Sequence, residues 1–483
     1  MFRFMGEEVE HNCLISVSHN LDDAYAMAIA QQHRGKDSTG IFARGEHGID
    51  VLKWIGPVSR FNVKALHKIF TAERYHTFGI HGKYRTKGER EINLNEVHPI
   101  CEGGVIEDRG SHIFVHGVNK ALMHNGQVEQ RFLDGIDQSR LKTKCDSEGV
   151  LHFYSKFGIE SVLTQIPDGY TLAIADLNVD GVVICRGRHG LKPGVRGNKG
   201  GFDLFASESV AFSDIHATLN GDITPGAVYY LRPNGKMSGP RQIVPPERKH
   251  CMFEFQYVAH PKTLLERLSV AGIRQDLGEK LFEEFPTGDA DFVTYIPESP
   301  KDGAQSYANR AGIPLVECFY KINDTRSFQA HTPEQRNTSI SENLYLLPGV
   351  IPLIMGKKLK VLDDSIVRGT VIRRSRHLLG DIAKVKEEDY LSLTPKIGII
   401  GVDGIKRGCD FGGIDMPAIE DKNHSFIARG RTDEQINNII GARVGYLSIR
   451  GFEEVYRKRG LPPENLCTFC IGGKYPFRVN GNV

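Results

Sequence analysis

The sequence predicts two parts of different class: an α+β layered first part and an α/β second part built on a parallel sheet. Three observations predict this. Up to about residue 240, short β-type runs are separated by Gly, Asn and Asp, and only two stretches carry helical periodicity. The stretch 233–250, PNGKMSGPRQIVPPERKH, is rich in Pro, Gly and Lys/Arg and reads as a linker. After it the rhythm becomes strand, loop, helix, the pattern of a parallel sheet with crossover helices.

Taken in order, NCLISVSH, GIFARG, TFGIHGKY, ALMHNGQ, YTLAIADLNVDGVVICRG, FDLFASESVAF and AVYYL read as strands of the first part. Segments 21–33 and 147–157 read as helices, the first with Leu21, Ala24, Tyr25, Ala28 and Ile29 on one face. In the second part DFVTYIP, KLKVLDD and PKIGIIGVDG each precede a turn and read as strands. The tail carries an amphipathic piece, Asp433 to Ile440.

Composition narrows the class of function. At 40% hydrophobic and 25% charged the chain is globular, not fibrous or disordered. Lys+Arg 61 against Asp+Glu 59 leaves +2, so no charge footprint points to nucleic acid or to an anionic membrane. No apolar run approaches the ~18 residues of a membrane span. Met1–Asn12, MFRFMGEEVEHN, has three glutamates and no apolar stretch, so it is no signal peptide. A cytoplasmic location is expected, where thiols stay reduced. Nine cysteines, scattered and odd in number, make no disulfide framework.

The sharpest motif is KLKVLDDSIVRGTVIRRSRHLLG, residues 358–380. An apolar strand ends in Asp363 and Asp364, a short loop runs from Ser365 to Thr370, and a helix follows with Val371, Ile372, Leu378 and Leu379 inward. Such a loop offers backbone N–H groups and a positive dipole end to a phosphate. Ser365 and Thr370 add hydroxyl donors, Arg368 adds charge, and Gly369 permits close approach. The adjacent carboxylates suit ribose hydroxyls or a magnesium-bound diol. The plain alternative is a surface turn with a solvated Asp pair.

This run resembles the phosphoribosyl pyrophosphate (PRPP) signature of type I phosphoribosyltransferases, and the full DDSIVRGT looks most like that of the glutamine PRPP amidotransferase family. The first part is similar to the same family in order: HRGKDSTGI (33–41), IHGKYRT (80–86), MHNGQV (123–128), CDSEGVLH (145–152) and ASES (206–209). The resemblance spans about 13 to 477. It implies an N-terminal-nucleophile glutaminase of αββα layers over 13–240, after a propeptide of residues 1–12. It also implies a phosphoribosyltransferase part over 251–483 with a cluster-binding tail.

By that resemblance Cys13 is the nucleophile, its own α-amine serving as base, which suits amide hydrolysis because a thiolate attacks well at neutral pH. A buried structural thiol is the alternative for a Cys heading an apolar strand. Asn125 and Gly126 would form the oxyanion hole. Arg34 and Asp146 would grip the carboxylate and α-amine of glutamine, with Lys83 in the glutamine-binding G-H-x-R-Y element. Lys83 stands where the family has Arg, a point charge in place of a planar fork, and Leu14 stands where it has Gly. His33, His81 and His124 read as structural. In the second part Asp363 and Asp364 would hold the ribose and its Mg2+, Ser365 to Thr370 the 5′-phosphate, and YIPESP (295–300) the pyrophosphate.

The family's closing loop is basic. Here the region is KINDTRSFQAHTPEQRNTSISENLYLL (321–347), in which Lys321 and Arg326 remain as cations over PRPP, while ISENLY stands where further Arg and Lys are expected. Cys251, Cys409, Cys467 and Cys470 form a CxxC with two distant partners, which on residues alone suits a zinc site or an iron–sulfur cluster. The resemblance implies a [4Fe–4S] cluster of structural role. Cys101, Cys145, Cys185 and Cys318 read as structural.

The function implied is glutamine hydrolysis with transfer of ammonia to PRPP, giving 5-phosphoribosylamine, in a homo-oligomer, a tetramer by resemblance. Two other readings share the motifs: a paralogue making a different product, and a PRPP-binding protein without turnover.

Overall fold

The structure is a computed structural model that describes residues 12–84 and 92–476, apart from 134, 138, 140, 144, 168, 322–342 and 410–424. In its first part the elements run β1 (Leu14–Ser18), α1 (Leu21–Ala30), β2 (Ser38–Arg44), β3 (Ile49–Ile55), α2 (Val63–Ile69), β4 (Thr77–Lys83), β5 (Ile100–Asp108) and β6 (His112–Gly126). They continue with α3 (Asp146–Gln165), β7 (Tyr170–Asp176), β8 (Val182–Arg186), β9 (Val195–Lys199), β10 (Phe202–Ala206), β11 (Thr218–Asp222), β12 (Ala227–Leu231) and β13 (Met237–Gln242). The strands hydrogen-bond in the order β11-β9-β10-β1-β4-β2-β3-β6-β7-β8-β12-β13, with β5 on β6.

The 15-residue β6 joins two wings, because its first half pairs with β3 and its second half with β7. Ile15, Val17 and Phe42 of one wing meet Met123, Ala173 and Ile184 of the other in a shared core. Outside the first wing, Leu21, Ala24 and Ala28 of α1 and Leu66 of α2 pack on Ile41 and Ile80. Outside the second, Val150, Leu151, Phe153 and Val162 of α3 pack on Leu172 and Val183. The layers are therefore αββα, as expected. On α1 the buried face is Leu21, Ala24, Met27 and Ala28, while Ile29 is 37% exposed.

The linker is shorter than its composition implied, since β13 occupies much of it and pairs with β12. Pro240 fits there because β13 is an edge strand whose outer side needs no donor.

The second part holds β14 (His250–Cys251), the hairpin β15 (Leu264–Leu265) and β16 (Leu268–Ser269), α4 (Val270–Glu284), β17 (Phe292–Tyr295), α5 (Lys301–Ala311), β18 (Phe319–Lys321), β19 (Leu344–Leu346), β20 (Lys358–Asp363), β21 (Glu387–Ser392), β22 (Arg443–Tyr446) and β23 (Leu466–Cys467). Strands β17, β20, β21 and β22 form a parallel sheet in that order. Successive residues face opposite ways. Leu362 and Leu391 meet Ile273, Leu277 and Phe452 on one face, and Val361 and Tyr390 meet Ile372, Leu379 and Ile436 on the other.

One expected strand is not in this sheet. PKIGIIGVDG makes only an isolated bridge between Ile400 and Lys406, and its place is taken by β21 and β22. β21 lies in a span between two expected strands, where the sequence rhythm reads as helix. In the sheet its Asp389 is neutralised by Lys360 of β20 (2.5 Å) and Arg443 of β22 (2.8 Å). Among the described residues no helix is long and apolar enough to cross a membrane.

Candidate active sites and the seam between them

Cys13 lies immediately before β1, at the centre of the first wing, and is buried. Burial pushes its thiol up to about 12, against the pull of Lys83, Lys192 and Arg34. Its N–H donates to Asn125 Oδ1 at 3.1 Å. Asn125 ends β6 beside Gly126, and its Nδ2 is buried with no acceptor among the described residues. An orphaned buried donor is costly and calls for an acceptor. Gly126 sits at φ +150°, and a Cβ there would lie 2.2 Å from Gly169 O. Only glycine lets the strand end run this close to its neighbour.

Asp146 heads α3, and its Oδ2 accepts from Val128 N at 2.8 Å. Lys83 ends β4, buried. Lys192, which the motifs had not singled out, is buried and donates to Asn12 Oδ1 at 2.9 Å. Leu14 packs into the core beneath α1, against Gly82, so its bulk is absorbed there. His81 Nε2 donates to His124 O (3.0 Å), and its ring stacks on His98 at 4.3 Å. Burial holds His81 down at about 3 and lowers His98 and His124, so all three are neutral packing groups at pH 7.

Arg34 departs from its expected role. Its Nε donates to Cys13 O (3.0 Å), Nη1 to Glu208 (2.5 Å) and Glu254 (3.0 Å), and Nη2 to Glu254 (3.1 Å). Burial opposes the charge, but Glu254 and Glu208 outweigh it and raise the guanidinium above its ordinary value. The fork expected to hold a substrate carboxylate is filled by two carboxylates of the chain itself.

The second site lies at the C-terminal edge of the parallel sheet, where open α/β sheets bind ligands. Asp363 and Asp364 are buried, 7% and 8% exposed, which rules out a solvated surface turn. Burial pushes Asp363 well above the usual carboxylate range, with the repulsion of Asp364 adding to it and Lys321 opposing. Burial also raises Asp364, against Ser365, Lys321 and Arg274. Ser365 Oγ donates to Asp364 Oδ1 at 2.7 Å. Gly369, at φ +74°, caps the helix Thr370–Arg376, and a Cβ there would lie 2.6 Å from Ile427 Cδ1. Arg368 and Thr370 flank it in this turn. Lys321 Nζ donates to Pro297 O, joining the YIPESP segment to the same edge. Arg326 lies outside the described residues. Arg274, also unforeseen, is buried and anchored to Phe255 O and Ala259 O, both at 2.9 Å.

Parallel pairing of β14 with β23 sets Cys251 opposite Cys467. Burial raises Cys251 to about 12, with Cys409 adding, and raises Cys470 well above its ordinary value, with Cys409, Cys251 and Cys467 adding. The four cysteines are thus neighbours. Among the described residues no group of three or more His, Cys, Asp or Glu is gathered tightly enough to hold a single metal ion. Cys185 and Cys318 are buried core residues, and Cys101 is partly buried. Cys145 caps α3 close enough for its charge to act on Cys13.

The chain is 31% identical to an amidophosphoribosyltransferase of Methanothermobacter thermautotrophicus over 95% of its length and 92% of that protein. It belongs to the amidophosphoribosyltransferase family. A second archaeal member, from Archaeoglobus fulgidus, is 27% identical over 95% of both chains. A chloroplastic member of Arabidopsis thaliana is 27% identical over 94% of this chain and 81% of its own. A family profile described as a glutamine amidotransferase domain matches residues 120–243. The fold matches that of glutamine PRPP amidotransferase from B. subtilis complexed with ADP and GMP, with TM-score 0.76, 23% identity and coverage of 98% and 99%.

Sequence reasoning assigned no role to Glu208, Glu254, Lys192 or Arg274. Glu208 stood inside the quoted motif ASES and Glu254 three residues after Cys251, so the signal was a carboxylate in or beside a motif without a partner to explain it.

Proposed function

We propose that this protein is a glutamine-dependent amidophosphoribosyltransferase that converts glutamine and PRPP to glutamate, pyrophosphate and 5-phosphoribosylamine, in de novo purine synthesis. The observation that carries the reading is the presence in one chain of Cys13 against an unsatisfied Asn125 amide and of a buried Asp363–Asp364 pair at a parallel-sheet edge. Family membership over nearly the whole chain supports it.

Met1–Asn12 is a leader whose removal frees the Cys13 α-amine. The parts run 13–240 and 251–483. The amine takes the thiol proton as sulfur attacks the amide carbon of glutamine, and gives it to the departing ammonia. Asn125 Nδ2 and the Gly126 N–H receive the oxyanion. Asp146 holds the substrate's α-amine and Lys83 its carboxylate, since the Arg34 fork is filled. Water then releases glutamate from the thioester. At the second site Ser365, Arg368, Gly369 and Thr370 hold the 5′-phosphate, and Lys321 and Arg326 neutralise the pyrophosphate as it leaves.

Mg2+ suits the Asp363–Asp364 pair, because two buried carboxylates that repel each other need a cation to ionise. It would screen the charge of the pyrophosphate. A [4Fe–4S] cluster suits the four cysteines, whose buried thiols act on one another and need positive charge to give up their protons. It would tie the tail to the strand after the linker. All nine cysteines are free, which favours a reducing cytoplasm, and a homotetramer follows by family resemblance.

The test is pyrophosphate release from PRPP, Mg2+ and glutamine by anaerobically purified protein, with the product identified by mass spectrometry. Another product would indicate a paralogue, and PRPP binding without release a sensor. Intact-mass analysis of the active species should show loss of Met1–Asn12.

A further inference from the structure

A carboxylate of the second part reaches the residue that carries the nucleophile. Glu254 opens the helical turn Glu254–Val258, three residues after Cys251. Both its oxygens accept from Arg34, at 3.0 and 3.1 Å, while Arg34 Nε donates to Cys13 O at 3.0 Å. The side chains of Arg34 and Glu208 are 0% exposed and that of Glu254 4%. Glu208 is itself tied across the seam, since its Oε2 accepts from His260 N (2.9 Å) and Thr263 Oγ1 (2.7 Å).

We propose that Glu254 is a positioning residue for glutamine hydrolysis, acting through Arg34 on Cys13. The inference rests on the reading of Cys13 as nucleophile. A guanidinium is planar, and a carboxylate that takes both its terminal nitrogens fixes that plane. With the plane fixed, Nε–H is aimed at the carbonyl of Cys13. The nitrogen of the same residue is held by Asn125 Oδ1. Cys13 is thus gripped at both ends of its backbone. Since thiol and base belong to this one residue, the grip sets both against the oxyanion donor. Without Glu254 the fork retains only Glu208 and can tilt. A shift of about 1 Å in a reacting group lowers rate by up to ~100-fold. Because Glu254 belongs to the second part, the glutaminase geometry is complete only when the two parts are docked.

The test uses the full-length protein and compares glutamine-dependent with ammonia-dependent turnover for Glu254→Gln, Arg34→Lys and the double variant. Glu254→Gln should lower glutamine-dependent kcat by about 10- to 100-fold, with KM for glutamine within about threefold and ammonia-dependent turnover within about twofold. The double variant should be little worse than Arg34→Lys alone, because both act through one contact. Equal loss of both activities would make Glu254 merely structural and overturn the proposal. A rise in KM alone would return Arg34 to the substrate carboxylate and overturn it too, as would additive effects in the double variant. Cys13→Ala separates the two levels of argument. Glutamine use surviving in Cys13→Ala would sink the nucleophile reading and this inference together, whereas its loss there alongside an unaffected Glu254→Gln would sink this inference alone.

Discussion

Replacing Asn125 by Ala should separate catalysis from stability. Its Oδ1 accepts the Cys13 N–H at 3.1 Å, and its Nδ2 is buried with no acceptor among the described residues. Losing the first leaves the buried Cys13 N–H without its acceptor and costs about 1–3 kcal/mol, and removing an unsatisfied buried donor returns about 1–3 kcal/mol. The small cavity left behind takes back about 1 kcal/mol. The net change in unfolding free energy should therefore be a loss of about 1 kcal/mol. Catalysis should not be spared. An oxyanion donor is worth about 100- to 1,000-fold in kcat, roughly 2.7–4 kcal/mol, because it is satisfied only when the tetrahedral oxygen forms. The assay is glutaminase kcat beside ammonia-dependent synthesis, with urea unfolding on the same preparation. A fall of less than tenfold at unchanged stability would show that the orphaned amide does not serve the oxyanion. Loss of ammonia-dependent synthesis as well would show damage beyond the first site.

The Asp363–Asp364 pair makes stability depend on pH. Burial holds both groups above the usual aspartate value, with the repulsion of Asp364 adding at Asp363, so the folded protein keeps protons that the unfolded chain has released. Their contribution is full below about pH 4 and is lost as pH rises through the raised values; urea unfolding of wild type without divalent cation should show this fall, Asp363→Asn should flatten it, and Mg2+ with PRPP should offset it at pH 7. Gly126→Ala should lower stability by about 2 kcal/mol or more, because the φ is strained for alanine and the new Cβ meets immovable backbone, and a glutaminase as active and stable as wild type would contradict the close strand end. Anaerobically purified protein should hold about four irons per chain, and Cys251→Ser should hold fewer; stoichiometric zinc without iron would favour the other donor reading.

The sequence by itself determined the two-part architecture, because hydrophobic periodicity and turn residues are local properties. Runs such as NCLISVSH and KLKVLDD fold as the strands they spell, and Asp433–Ile440 is the helix its spacing describes. Ordered motifs also singled out Cys13, Asn125, Gly126 and the Asp363–Thr370 loop as candidates, since each role needs particular residue types at short spacing. Tertiary structure decided what charge partners decide. The acidic β21 becomes a strand only because Lys360 and Arg443 flank it, and PKIGIIGVDG, apolar enough for a strand, is left outside the sheet. Arg34 looked free to hold a substrate. Its fork is filled by Glu208, 174 positions away, and Glu254, 220 away. No local pattern encodes a pairing at that separation, because a buried charge is stable only where the fold brings its opposite.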